Sequence, residues 1–118
     1  MLVKNRIDCC FIHLVDFENS KEWYKNIFGF DVKVEGEGFL EFDLDGPPLI
    51  LLQAQVEKIT PLPYSVFFFE TMDVEKTQQT LKEKGAKVGD IENFGGSMRG
   101  CHFYDPEGNM LLACTSKE

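Results

Sequence analysis

The sequence predicts an α+β protein built from two copies of one βαβββ module. A short motif occurs twice about 57 residues apart, each copy follows an apolar run of strand length, and each is followed about eight to nine residues later by a glycine. The motifs are Asp16–Ser20 and Asp73–Thr77, and the glycines are Gly29 and Gly85. A module that cannot bury its sheet face alone must pair with its copy, which is the physical reason for the duplication.

The first module begins with a strand predicted at Ile7–Leu14, which stops before a suitable helix cap, Asp16. Apolar residues at helical spacing from Phe17 predict a helix of about three turns. Gly29 can take the left-handed conformation that ends such a helix. Three more strands, separated by turn-like segments, are predicted at Phe30–Glu35, Phe39–Leu44 and Leu49–Ala54.

The second module repeats this order with a strand at Tyr64–Glu70 and a helix at Val74–Lys84. Asp105 to Asn109, with the sequence DPEGN, predicts a tight hairpin because Pro, Gly and Asn suit its turn positions. Asn93–Ser97 has no periodicity and is expected to form a mobile loop. The last three strands are predicted at Ala86–Ile91, Met98–Tyr104 and Asn109–Thr115.

We expect one domain, residues 1–118, with internal modules at 1–55 and 64–118. The linker is predicted at 56–63 because Pro61 and Pro63 suit neither a helix nor a central strand.

The net charge and the cysteine spacing indicate which binding partners and which cellular compartment to expect. A formal charge of −8 would repel phosphate backbones and anionic lipid, so neither nucleic acid nor a membrane is an expected partner. No apolar stretch approaches the ~20 residues of a membrane span, and the N-terminus lacks a secretion-signal pattern. Cys9, Cys10, Cys101 and Cys114 show no C-x-x-C spacing, which indicates reduced thiols in the cytoplasm. Cys10 and Cys101 are expected to be buried apolar residues.

The βαβββ duplication, the helix segment VDFENSKEWYKNIFGFDV and the closing hairpin FYDPEGNML together resemble the vicinal oxygen chelate superfamily. This superfamily contains glyoxalase I, bleomycin-resistance proteins, fosfomycin-resistance enzymes and extradiol dioxygenases, and the resemblance covers Ile7 to Cys114. It implies the glyoxalase/bleomycin resistance/dihydroxybiphenyl dioxygenase-like fold, in which two mixed sheets curl into a half-open cup. It also implies a small-molecule partner, often a divalent metal, and frequently a homodimer.

The resemblance also implies where the metal ligands of this superfamily would fall, and this sequence departs from that pattern. The four positions carry Cys9, Val66, Leu51 or Leu52, and Leu112. A lone thiolate does not form a catalytic divalent-metal site, which needs three or more donor atoms. No cofactor is therefore expected, and a divalent metal bound elsewhere is the alternative.

Side-chain alternation along the strands predicts which residues face the cup. If Tyr104 pairs with Met110, His102 pairs with Leu112, and both face inward together with Cys114. An apolar, aromatic lining suits a flat or hydrophobic small molecule, although a collapsed core would look the same. The predicted ligand-binding residues are Cys9, Phe11, His13, Tyr64, Phe68, Glu70, His102, Tyr104 and Leu112.

Two functions therefore follow from the sequence. The first is a metal-free protein that binds a small organic molecule in the cup. The alternative is a lyase, isomerase or dioxygenase with catalytic candidates His102, Glu70 and His13, and with a divalent metal at His102, Glu70 and Glu41, because histidine suits both proton transfer and metal binding. Arg99 is a candidate clamp for a carboxylate or phosphate, or else a solvated edge charge.

Overall fold

The computed structural model describes residues 2–116 and divides into two compact units, with the boundary between Ile59 and Thr60. Each unit contains one helix and one four-stranded mixed sheet with two free edges, so the predicted α+β fold is confirmed. The outer ends of the predicted modules, residues 1 and 117–118, lie outside the described residues.

The sheet of the first unit has the strand order β1-β4-β3-β2, with β1 parallel to β4 and the other pairs antiparallel. The helix starts after Asp16, whose carbonyl accepts a hydrogen bond from the Ser20 N–H, and it ends at Gly29 with φ of 65°. Gly29 is thus the predicted left-handed stop. The elements are β1 (Cys10–Leu14), α1 (Phe17–Phe28), β2 (Val32–Gly36), β3 (Phe39–Phe42) and β4 (Leu49–Gln53).

The core of the first unit lies between α1 and one face of the sheet. Because side chains alternate along a strand, one set of residues is buried on the helix side and the other set lies on the opposite side. Tyr24 of α1 is fully buried, as expected for a residue that packs on the back of the sheet. The buried strand residues on the helix side are Ile12, Leu14, Leu40, Phe42, Leu49 and Leu51.

The second unit has the strand order β5-β8-β7-β6, with β5 parallel to β8. Asp73 caps the helix, and its carboxylate accepts a hydrogen bond from the Lys76 N–H at 3.0 Å. Cys101, Phe103, Leu111 and Ala113 are buried on the helix side of this sheet. The elements are β5 (Phe69–Thr71), α2 (Val74–Glu83), β6 (Lys87–Asn93), β7 (Arg99–Tyr104) and β8 (Met110–Thr115).

The strand predicted at Tyr64–Glu70 is wrong over most of its length. Only Phe69–Thr71 pairs with β8, and the preceding segment is irregular. Strand propensity reflects the packing of side chains on a pleated surface. Tyr64, Val66 and Phe68 are exposed and have no such surface.

The closing hairpin is formed as predicted. The Asp105 carboxylate accepts hydrogen bonds from the N–H groups of Glu107 and Asn109, each at 2.9 Å, and Gly108 has φ of 87°. Asn109 also donates its side-chain amide to Asp105 at 2.8 Å. The turn thus holds β7 and β8 in register.

None of the helices within residues 2–116 has the length and apolar character that crossing a bilayer requires.

Candidate functional site

The side of each sheet that faces away from its own helix is here called the open face. On the second sheet, His102 lies directly opposite Leu112, and Tyr104 lies opposite Met110, which is the predicted pairing. His102, Tyr104 and Leu112 are all partly exposed, whereas their neighbours Cys101, Phe103 and Leu111 are buried on the helix side. The open face of this sheet therefore presents an imidazole among apolar and aromatic groups.

His102 is bonded to a carboxylate that extends from the neighbouring strand. Its Nδ1 lies 2.9 Å from Oε2 of Glu92, and the Phe94 ring stands edge-on to the imidazole at 6.1 Å. The side chain of His102 is 22% exposed and that of Glu92 is 51% exposed. In the described part of the chain, nothing bonds to Nε2 of His102, so this atom can accept a hydrogen bond from a ligand.

Glu92 reaches the open face because β6 contains a bulge. Val88 pairs with Phe103, and Ile91 pairs with Cys101. Between these two pairs the chain advances three residues in β6 but only two in β7. An extra residue of this kind reverses the alternation of the side chains that follow it. Glu92, the next residue, consequently lies opposite Gly100 on the side of His102.

The helix of the second unit fixes this bulge. Gln78 of α2 donates its side-chain amide to the carbonyl of Gly89, within the bulge, at 2.9 Å. The hydrogen bond therefore links α2 to the segment that positions Glu92.

Glu92 is a residue that the sequence analysis missed. The strand was predicted to stop at Ile91, and in a regular strand Glu92 would lie on the helix side. Gly89, a glycine inside a strand pattern, was the available signal, because such glycines often mark a bulge.

Glu70, a predicted partner of His102, does not adjoin it. Glu70 pairs with Cys114 of β8, which pairs in turn with Gly100 of β7, two residues before His102. Two strand spacings and a two-residue offset separate the Cα atoms of Glu70 and His102 by roughly 12 Å. Among the described residues, the carboxylate bonded to His102 is that of Glu92 and not that of Glu70. Cys114 lies on the same side and is fully buried.

The open face of the first sheet is mainly apolar. Phe11 and His13 of β1 lie opposite Ile50 and Leu52 of β4, and the Phe11 and His13 rings are 6.3 Å apart. Glu41 shares this face and lies 3.9 Å from Lys33. His13 is exposed, with no hydrogen-bond partner among the described residues.

The positions at which the family resemblance places metal ligands carry few donor atoms in the structure. Of the two alternatives on β4, Leu52 lies on the open face and Leu51 is fully buried on the helix side. Cys9 is half-buried just before β1. Val66 is exposed in the irregular segment, with Tyr64 and Phe68. Across residues 2–116, no three His, Cys, Asp or Glu side chains come together as a metal site.

Arg99 already has a carboxylate partner on the protein. Its guanidinium forms an ion pair with Glu75 in the first turn of α2. This hydrogen bond lowers the pKa of Glu75 and raises the pKa of Arg99. Arg99 therefore links β7 to α2.

The sequence matches the family model of the Glyoxalase/Bleomycin resistance protein/Dioxygenase superfamily over residues 6–112. No curated protein matches it.

Several solved structures are similar to this chain. An integron cassette protein from the mobile metagenome of Halifax Harbour Sewage Outfall is 19% identical, with a TM-score of 0.78 over 96% of this chain and 100% of that one. Lactoylglutathione lyase from Agrobacterium tumefaciens is 16% identical, with a TM-score of 0.75 over 97% and 96% of the two chains. Oxidase ChaP-H2 is 24% identical, with a TM-score of 0.70 over 99% and 96%. At these identities the likeness concerns the fold alone.

Proposed function

The chain belongs to the Glyoxalase/Bleomycin resistance protein/Dioxygenase superfamily, and from this premise we propose that it binds a small organic molecule without the family's usual metal ligands. The binding surface is the open face of the second sheet, around His102 and Leu112.

The observation that carries this proposal is the environment of His102. The imidazole is partly buried, one ring nitrogen is bonded to Glu92, and the other is free to meet a ligand. Ligand sites typically combine an apolar lining with a few fixed polar groups. Leu112 and Phe94 supply apolar surface beside this polar anchor.

The open face of the first sheet supports the same class of function. Phe11 is half exposed and Phe39 is also exposed, although both are large aromatic residues on regular strands. Exposed apolar surface of this kind commonly marks a binding surface.

We also propose a cytoplasmic location, a homodimer and a small-molecule partner. A cytoplasmic location agrees with four free cysteines. A homodimer agrees with the free edges of both sheets, because uncovered edge strands favour association. The net charge of −8 favours small molecules over nucleic acid or anionic membranes as partners.

A second candidate function is a lyase, isomerase or dioxygenase activity. The observation that favours it is the hydrogen bond between Glu92 and His102, because a carboxylate that orients an imidazole is a common acid–base arrangement. A divalent metal at His102, Glu70 and Glu41 belongs to this alternative, and within the second unit Glu70 and His102 lie on different strands with β8 between them. Titration of chelator-free protein with Ni, Mn, Zn and Fe(II) tests this alternative, and stoichiometric binding lost in His102→Ala would establish it.

The test of ligand binding is a thermal-shift screen of a small-molecule library against the whole chain. We expect compounds that raise the melting temperature of the wild type and fail to do so for Leu112→Ala. Val56→Ala is the matched control, since Val56 is an exposed apolar residue outside both sheets. The proposal is contradicted if no compound in the library raises the melting temperature. It is also contradicted if the compounds raise the melting temperature of Leu112→Ala as much as that of the wild type.

A further inference from the structure

We propose that Nε2 of His102 is a fixed hydrogen-bond acceptor that takes a neutral O–H group of the ligand, such as a phenol. Glu92 and Gln78 act as positioning residues for this atom. The inference rests on the proposed function and adds to it the chemical class of the ligand.

The contact with Glu92 determines the tautomer of His102. A carboxylate can only accept hydrogen bonds, so the 2.9 Å contact with Glu92 places the hydrogen on Nδ1. A neutral imidazole carries one hydrogen, and Nε2 then has a lone pair. A ligand that bonds to Nε2 of the neutral ring must therefore act as the donor.

A bulge in β6 and a hydrogen bond from α2 hold Glu92 in place. The bulge at Gly89 and Asp90 brings Glu92 to the side of His102, and Gln78 bonds to the Gly89 carbonyl. Loss of that hydrogen bond would weaken the hold of α2 on the bulge. Loss of the bulge would return Glu92 to the helix side, because a one-residue change of register reverses side-chain alternation.

The charges on the open face of the second sheet favour a neutral ligand. Glu92 and Glu70 both lie on the open face of the second sheet, and they disfavour an anionic ligand next to His102. Lys87 is a cation on this face, and its ammonium lies over the Tyr104 ring at 5.9 Å. A neutral donor avoids repulsion by the carboxylates and satisfies Nε2.

The side chains beside His102 favour a flat ligand. The Phe94 ring stands edge-on to His102, at an interplanar angle of 87°, and Leu112 lies directly across the strand pair. A flat ring that carries the O–H group can contact both side chains while it donates to Nε2. The ligand class is therefore a neutral aromatic or enolic alcohol.

The experiment that tests the tautomer needs no ligand. Long-range ¹H–¹⁵N NMR spectra of the imidazoles report which ring nitrogen carries the hydrogen. We expect the Nδ1–H form for His102 in the wild type, and a mixture of tautomers in Glu92→Ala and in Gln78→Ala. Gln79→Ala is the matched control, because Gln79 donates to the exposed Glu83 instead, and it should preserve the wild-type pattern. An Nε2–H form in the wild type, or equal effects of Gln78→Ala and Gln79→Ala, overturns the inference.

The ligand class is tested with two probes that differ only in the O–H group, 4-methylphenol and 4-methylanisole. We expect 4-methylphenol at millimolar concentration to shift the Nε2 resonance of His102, and 4-methylanisole to leave it in place. Equal shifts with both probes, or no shift with either, overturn the inference. If library hits perturb Leu112 but never Nε2, ligand binding stands and the hydrogen-bond assignment fails, so the two proposals are separable.

Discussion

Lys21 of α1 lies 3.0 Å from Glu35 of the edge strand β2, and its side chain is only 9% exposed. The same ammonium is 2.9 Å from Glu18 and 5.5 Å from the centre of the Phe17 ring. Hydrogen bonds to Glu18 and Glu35 raise the pKa of Lys21, and the bonds from Lys21 and Lys25 lower the pKa of Glu35. The cluster thus connects the helix to an edge strand of the first sheet.

We expect Glu35→Gln to lower the melting temperature at neutral pH, with a difference that vanishes in acid. A carboxyl whose pKa is lower in the folded state stabilises the fold above its unfolded pKa. This stabilisation is lost as the pH falls through the folded pKa, which lies below the ordinary value of 4.5. Melting curves of wild type and Glu35→Gln from neutral to acidic pH measure the effect.

The control for this measurement is Glu37→Gln, in the turn between β2 and β3, where no ion pair is formed within the described chain. Glu37→Gln should leave the pH profile of the wild type unchanged. A Glu35→Gln defect of the same size at all pH values would show that the charge of Glu35 does not stabilise the fold.

Gly100→Ala should destabilise the second unit by about 1–3 kcal/mol, the usual cost of overpacking. A Cβ at this position would lie 2.5 Å from the Ala113 carbonyl oxygen and 3.1 Å from Cys114. Gly89→Ala is the control, because its Cβ would meet the nearest atom, the His102 carbonyl oxygen, at 3.6 Å. Urea unfolding compares the two variants, and equal midpoints would refute the close approach of β7 to β8.

Asp105→Ala should destabilise the closing hairpin, because it leaves donors of the turn without their acceptor. Asp105 is 5% exposed, and its carboxylate accepts from two backbone N–H groups and from the Asn109 amide. Each unsatisfied donor costs about 1–3 kcal/mol if it stays buried. Asp43→Ala, at an exposed position, is the control for denaturant unfolding. A loss no larger than that of the control would show that the turn does not depend on Asp105.

Thiol reactivity should divide the four cysteines into two classes. Cys101 and Cys114 are fully buried, and burial raises the pKa of the Cys101 thiol, which disfavours the reactive thiolate. Cys9 and Cys10 are half-buried, so the expectation of a buried Cys10 was only partly met. Ellman's reagent should therefore label two thiols quickly in the native protein and four after denaturation.

The control for the thiol measurement is a Cys9→Ser, Cys10→Ser double variant. In this variant, Ellman's reagent should label no thiol quickly in the folded protein, and Cys101 and Cys114 should still be labelled after denaturation. Rapid labelling of Cys101 or Cys114 in folded protein would contradict the burial of these residues.

The sequence predicted the order of strands and helices because the signals were local. The left-handed stop at Gly29, the cap at Asp73 and the hairpin at Asp105 each depend on a few neighbouring residues. The strand at Tyr64–Glu70 was wrong over most of its length because a strand also needs a partner, and in this described region only Phe69–Thr71 pairs with β8.

The site was predicted less completely than the fold. The pairing of His102 with Leu112 could be predicted because the residues of β7 and β8 pair regularly from the hairpin at Tyr104 and Met110, with no bulge in between. Glu92 could not be found in this way, because one extra residue in β6 changes which side every later residue faces. The hydrogen bond between Gln78 and Gly89 helps to fix this register. It joins a helix to a strand, and no repeating pattern in the sequence indicates it.

The most direct test of the central claim uses two adjacent leucines of β8 that lie on opposite sides of the sheet. Leu112 is on the open face with His102, and Leu111 is buried on the helix side. Methyl NMR spectra recorded during titration with a stabilising compound should show large shifts for Leu112 and small ones for Leu111. Shifts that are confined to Leu111 and to Leu81 of α2, with Leu112 unmoved, would contradict ligand binding on the open face.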